Sequence, residues 1–260
     1  MSSLRRMLAI LDEFSLEQPV LTAEELMERL SYSRGTVYRY LKELTLSGLL
    51  ASVGGGYALG PKVIELDYTI RQTDPYITVV RPIMRALGDR LDCDVLMCSF
   101  YQGRVVVLHH ERGADNLTMS YGRGRRMPTF LGAPSKSIIA SLPKAKLKRL
   151  FESGAIEIGQ SKFPSEWDAF YAEIKSIRRK GYALSKGELD AGNVGVAAPL
   201  KTDPPASLAF VFPGSRFEIA DESRVADIIR NAAGQANSLI ARMEHGQDGI
   251  DWFDPASKTA

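Results

Sequence analysis

Cysteine is almost missing from this chain: two residues in 260. A disulfide framework is excluded, and the cytoplasm is the expected compartment. No stretch of about 20 uninterrupted apolar residues occurs, so no spanning helix is expected. The start, Met-Ser-Ser-Leu-Arg-Arg, leads into a short apolar run broken by Asp12 and Glu13. No small-residue cleavage site follows, so no signal peptide is expected. Charge of one sign is also lacking. The net charge is +2, and residues 1–72 carry eight basic against nine acidic side chains. A domain-wide basic footprint for nucleic acid is absent, and any such reading must rest on local placement.

Catalytic signatures are missing too. Gly122-Arg-Gly124 lacks the third glycine of a dinucleotide loop, and neither Walker pattern occurs. There is no Gly-x-Ser-x-Gly elbow and no HExxH. Ser141-Leu-Pro-Lys144 has a serine-x-x-lysine spacing without its partner motifs, so it reads as chance. Cys93, Cys98, His109 and His110 invite a metal reading. Side chains five apart, or adjacent, on strands point to opposite faces, so a joint site is not expected. No catalytic residue, no metal and no cofactor is assigned.

What is present is ordinary globular composition, 45% hydrophobic and 25% charged, with no internal repeat. Leu4, Met7, Leu8, Leu11 and Phe14 have the spacing of one amphipathic helix. Thr22 with Glu25 forms a capping box before a short second helix. Ser33 is the expected N-cap of a third helix, Arg34 to Ser47, with Val37, Leu41 and Leu44 inward. Gly35, Arg39 and Lys42 fall opposite, with Tyr38 at the margin. Residues 49–53 and 57–59 read as strands around Gly54-Gly55-Gly56. Three short helices and a hairpin make a winged helix-turn-helix, residues 1–60, with the third helix as reader.

A linker helix is expected within 61–75, then a second domain over 76–245 and a loose tail, 246–260. That domain mixes helices with hairpin-like strands, including 94–101, 104–111, 117–121, 182–186, 194–200 and 208–212. The fold class is α+β, with an antiparallel sheet flanked by helices.

Candidate DNA contacts follow from this placement. Arg39 and Lys42, with Arg34, Thr36 and Tyr38, suit base edges and phosphates, and Gly35 permits close backbone approach. Ser33 stands at the helix start, and Arg5 and Arg6 could clamp backbone phosphates. Glu24, Glu25 and Glu28 on the second helix must face away from DNA. Arg123-Gly124-Arg125-Arg126 reads as a surface turn rather than a second nucleic-acid patch. Pro134-Ser135-Lys136 opens a helix whose N–H groups suit a carboxylate.

The order of these pieces resembles the IclR family of transcriptional regulators over roughly residues 2–243. The matching stretches include residues 4–11, 22–30 and 34–41, Gly56-Tyr57-Ala58-Leu59-Gly60 and Gly124-Arg125-Arg126-Met127-Pro128. Ser135 to Ala140, Gly181-Tyr182-Ala183, Glu188-Leu189, Gly192 and Val196-Ala197-Ala198-Pro199 continue the series. The resemblance implies a winged helix, a linker helix and a GAF-like effector domain, assembled as a homodimer or homotetramer on double-stranded operator DNA. Several members bind small oxo-acids through an acidic residue, a cysteine and two serines. Those places here hold Ser185, Gly195, Phe210 and Phe212. Met119, Leu131, Ala133, Pro134 and Ser135 complete the implied pocket. It is wider at Gly195 and more apolar at the phenylalanines, which favours a bulkier, aromatic organic acid over a glyoxylate-like one. The expected function is ligand-responsive regulation of a catabolic pathway. The rival readings are a winged-helix interaction module without effector and a small-molecule enzyme with an appended helical domain.

Overall fold

A computed structural model describes residues 2–113, 117, 119–219 and 221–246. The chain divides into two compact units, 1–74 and 75–260. The tail expected over 246–260 lies outside the described residues except for its first position.

The first unit runs α1 (Ser3–Leu8), a 3-10 turn (Ala9–Glu13), α2 (Ala23–Leu30), α3 (Arg34–Leu46), β1 (Leu50–Val53), β2 (Gly56–Leu59) and α4 (Lys62–Thr73). The single opening helix expected from the apolar spacing is therefore two pieces. The 3-10 turn winds tighter than an α-helix, so the apolar phase shifts. Ile10 is fully buried, while Leu4 and Leu8 are exposed. The Thr22–Glu25 capping box forms in full, fixing the start of α2. Ser31 closes α2 in the left-handed region at φ 52, which turns the chain sharply into α3. Val37, Leu41 and Leu44 point into the core as the periodicity requires, and Tyr40 joins them.

Strands β1 and β2 pair antiparallel from Leu50↔Leu59 to Val53↔Gly56. Gly54 and Gly55 make the turn at φ 53 and 87, the left-handed pair a two-residue hairpin needs. An isolated bridge from Leu21 to Tyr57 ties this wing to the segment before α2. No residue of helix α4 is buried, although it is twice the length of α1, which also buries none.

The second unit runs α5 (Pro75–Leu91), β3 (Asp94–Tyr101), β4 (Arg104–Glu111), β5 (Arg126–Met127), α6 (Ala133–Ser141), α7 (Lys144–Ser153), α8 (Ala155–Gly159) and α9 (Trp167–Lys180). It continues with β6 (Ala183–Lys186), β7 (Asn193–Leu200), β8 (Ala206–Pro213), α10 (Gly214–Ile219) and α11 (Glu222–Glu244). The strands form one sheet in the order β5-β4-β3-β8-β7-β6, and every pairing is antiparallel.

The sheet is buried on both sides. Val95, Met97, Val196, Leu208, Phe210 and Phe212 pack with residues of α5 and α11. Leu96, Cys98, Ala197, Ala209 and Val211 pack with residues of α6 and α9. Successive strand residues alternate between the two layers. Residues 117–121 read as a strand in the sequence, but none forms among their described positions. Instead Arg126 and Met127 take the edge beside β4, and Ser120 N–H donates to the Asp190 carboxylate. No helix among the described residues is long and apolar enough to cross a membrane.

The tightest backbone approach in the first unit gives a test. A Cβ at Gly60 would stand 2.1 Å from the Gly48 carbonyl oxygen. Gly60→Ala should destabilise this unit by about 2–3 kcal/mol in calorimetric unfolding, because backbone rather than a side-chain tip must move. Gly159→Ala, which meets nothing within 4 Å, should leave stability within about 0.5 kcal/mol.

Candidate nucleic-acid interface and ligand cleft

One face of α3 is free of core packing. Ser33, Arg34, Gly35, Tyr38, Arg39 and Lys42 are exposed, and Thr36 is half-buried. Ser33 occupies the N-cap position but makes no cap bond to the backbone; its hydroxyl lies 2.9 Å from Thr36 Oγ1. Arg34 lies over the Tyr38 ring at 5.5 Å and Arg39 over Tyr40 at 5.3 Å, which limits their wandering. Arg6 stacks on Tyr32, in the turn that leads to α3, at 4.3 Å, while Arg5 is exposed in the last turn of α1.

The acids of α2 divide. Glu25 is used by its cap, whose hydrogen bonds from Thr22 hold its carboxyl below the usual range. Glu24 does not turn fully away from the reader helix, because its carboxylate accepts from Tyr38 Oη at 3.5 Å. Tyr38 lies in α3, and α2 packs directly on that helix, so sequence spacing alone could not keep the two apart.

In the second unit a small cavity lies between the sheet and the start of α6. Its walls include Leu96, Met119, Tyr121, Met127, Pro134, Ser185, Glu188, Leu189, Asp190, Asn193, Gly195 and Val211. Its volume is about 30 Å³, room for roughly one water. Met119, Pro134, Ser185 and Gly195 are thus brought together. The remaining expected pocket residues are placed differently. Leu131 is half-buried and is not a wall. Ala133 is fully buried, and its N–H donates to Ser185 Oγ at 3.0 Å. Ser135 donates its hydroxyl to the Pro128 carbonyl at 2.7 Å.

Phe210 and Phe212 need correction. Both lie on the other face of the sheet, against the α5 and α11 layer. Gly195 pairs with Val211, so Val211 shares its face and the flanking phenylalanines cannot. The width expected at Gly195 is also absent. A Cβ there would meet Ser185 Oγ at 3.0 Å and the Ala133 Cβ at 3.5 Å, so neighbours already fill the space.

The carboxylate seat at the head of α6 holds the chain's own acid. Gly132 N–H donates to Glu188 Oε2 at 3.1 Å, and Lys136 Nζ donates to Glu188 Oε1 at 2.5 Å. Gly132 sits at φ 81, and a Cβ would strike Leu189 at 2.5 Å, so glycine is required where the loop closes down. Glu188 and Lys136 side chains are 3% and 11% exposed. Removing one partner from such a buried pair costs about 3–5 kcal/mol. The sequence marks Glu188-Leu189 as a matching motif but gives no sign of where the carboxylate goes.

The thiols and imidazoles are spent on structure. Burial, then Asp94 and Asp92, pushes the Cys93 thiol up to about 12, and burial alone pushes Cys98 up. His110 lies 2.8 Å from Asp94, and His109 lies 2.7 Å from Glu111.

A winged unit with an exposed cationic helix face, and a separate unit with a cleft at a helix head, define a DNA-binding regulator with a sensing domain. The comparisons agree. Residues 71–238 match the bacterial transcriptional regulator IclR C-terminal family, and residues 6–58 match a helix-turn-helix domain family. The chain belongs to the IclR family of DNA-binding transcriptional regulators. It is 24% identical to the HTH-type transcriptional regulator KdgR of Escherichia coli over 247 residues, covering 93% of this chain and 92% of that one. The crystallised IclR-type regulator from Silicibacter superposes with a TM-score of 0.77 at 21% identity, covering 92% of this chain and 96% of that one. An IclR homologue from Microbacterium hydrocarbonoxydans, complexed with 4-hydroxybenzoate, has a TM-score of 0.69 at 19% identity, covering 92% and 99%.

Gly35 separates stability from binding. A Cβ there meets nothing within 4 Å, so the free protein has no packing reason for glycine. Gly35→Ala should raise the thermal midpoint, by up to about 1 kcal/mol of helix stabilisation. The same change should weaken DNA binding, read by anisotropy on one preparation.

Proposed function

We propose that this chain is an effector-controlled regulator of genes for the use of a small organic molecule. The observation that carries this reading is the exposed Arg34, Arg39 and Lys42 face of α3, set in a complete winged unit. Arg39 would take a base edge in the major groove, and Arg34, Lys42, Arg5 and Arg6 would hold phosphates. Residues 1–60 would bind DNA, 61–75 connect, and 76–245 hold the effector. The reading places the protein in the cytoplasm and includes no catalytic step.

The effector would enter the cleft of Met127, Pro134, Ser185, Leu189 and Val211. The cleft as it stands is smaller than any ring, so a ligand favours a state in which the walls part. That difference in affinity between states is the source of any control over DNA binding. The homologue complexed with 4-hydroxybenzoate supports a ring-sized ligand. The acid expected from the sequence finds its seat at α6 taken by Glu188.

The reading includes self-association. Val63, Leu66 and Ile70 form one stripe on α4, Ile64 and Tyr68 fall on another face, and all five are exposed. A 12-residue helix with no buried residue is marginal alone, and a second copy would cover its stripe. Two reader helices then match a pseudo-palindromic operator. Leu66→Glu should shift sedimentation toward the monomer and weaken operator binding by more than tenfold; a variant that stays associated removes α4 from the interface.

The direct test is an anisotropy titration against DNA upstream of the protein's own gene, at two salt concentrations with nonspecific competitor. Competitor-resistant, salt-sensitive binding is expected, with Arg39→Ala losing about 1–3 kcal/mol. Unchanged affinity of that variant would remove α3 as the reader.

A further inference from the structure

The ligand cleft is acidic where it meets α6, and this restricts what can occupy it. Glu188 and Asp190 both face the cavity. Lys136, the partner of Glu188, does not. It lines a separate cavity of about 330 Å³ together with Lys162 and Lys180. The buried pair is therefore a dipole with its negative end on the ligand side. Lys162 reaches Glu188 only at 4.0 Å, and its side chain is 66% exposed.

The donors at the head of α6 are already committed. Gly132 N–H goes to Glu188, and Ala133 N–H goes to Ser185 Oγ. Pro134 has no N–H to offer. Asp190 takes the Ser120 N–H with both oxygens, at 3.2 and 3.1 Å. An entering carboxylate would meet two carboxylates, with only the Ser185 hydroxyl left to donate among these residues. Like charges repel, most strongly at Glu188, whose side chain is 3% exposed. A hydroxyl meets the opposite situation, because each carboxylate has about four lone-pair directions and retains capacity to accept. The rest of the wall, Leu96, Met127, Leu189 and Val211, suits an apolar body.

We infer that the effector presents an uncharged hydroxyl donor to Glu188 and Asp190, on a compact aromatic or similarly apolar body, and that the cleft rejects a carboxylate at that position. This rests on the reading of the cleft as the effector site. Any acid group on the ligand points away from α6.

The test uses the full chain and isosteric pairs: benzyl alcohol with benzoate, and cyclohexylmethanol with cyclohexanecarboxylate. Affinity is read by calorimetry and by thermal shift at pH 7.5. Each alcohol should bind at least about tenfold tighter than its acid. Glu188→Gln should close that ratio to within about threefold, mainly by tightening the acids. If that variant fails to fold, Asp190→Asn should move the ratio the same way, since its amide oxygen still accepts from Ser120. Acids that bind the wild type as tightly as the alcohols overturn the inference and leave the cleft standing. Binding that persists undiminished in Val211→Trp, which fills the cleft, places the site elsewhere and overturns the cleft itself. No binding by any of the four compounds overturns the inference as well.

Discussion

The burial of one sheet on both faces is the constraint on which the second unit depends. Strands β3, β7 and β8 have no wet side, so each residue must belong to one helical layer or the other. Period-two alternation makes that choice for every position at once. Val211 therefore joins the α6 layer, and Phe210 and Phe212 join the α5 and α11 layer. The cleft sees only the first set. Its contents follow from strand register before any ligand is considered, and exchanging two neighbours along β8 would move bulk from one layer to the other.

The same constraint explains why Glu188 can be buried. It comes from the loop after β6, above the point where β7 turns its smallest residue, Gly195, toward α6. The missing side chain lets Ser185 and Ala133 close together, and the loop follows them down. A carboxylate brought there by the loop finds an N–H at Gly132 and an ammonium at Lys136. The first unit is arranged differently. Its core is small, and it holds the reader helix by Val37, Tyr40, Leu41 and Leu44 and by the wing rather than by layers.

Much of this is legible in the sequence. The Thr22–Glu25 box, the inward positions Val37, Leu41 and Leu44 and the glycine hairpin are local patterns with local causes, and they stand where the spacing puts them. The antiparallel sheet follows from its hairpins. What is not legible depends on distant partners. Phe210 and Phe212 look like pocket walls until the register Gly195↔Val211 is known. Glu188 reads as a motif letter until its seat on α6 is seen. Helix α1 stops early because Ile10, not Leu8, finds a place in the core. The short elements β5, α8 and α10 have too few residues to show any period.

Helix α4 carries a consequence of its own. If a second copy covers α4 as proposed, the order of this otherwise marginal helix would be a function of how much protein is present. Dilution would then do more than separate copies. It would also loosen the stretch of chain that leads from the reader unit toward the sensing unit, and the link through which an effector acts would weaken along with it. On the proposed pairing of α4, abundance itself would become an input to DNA binding.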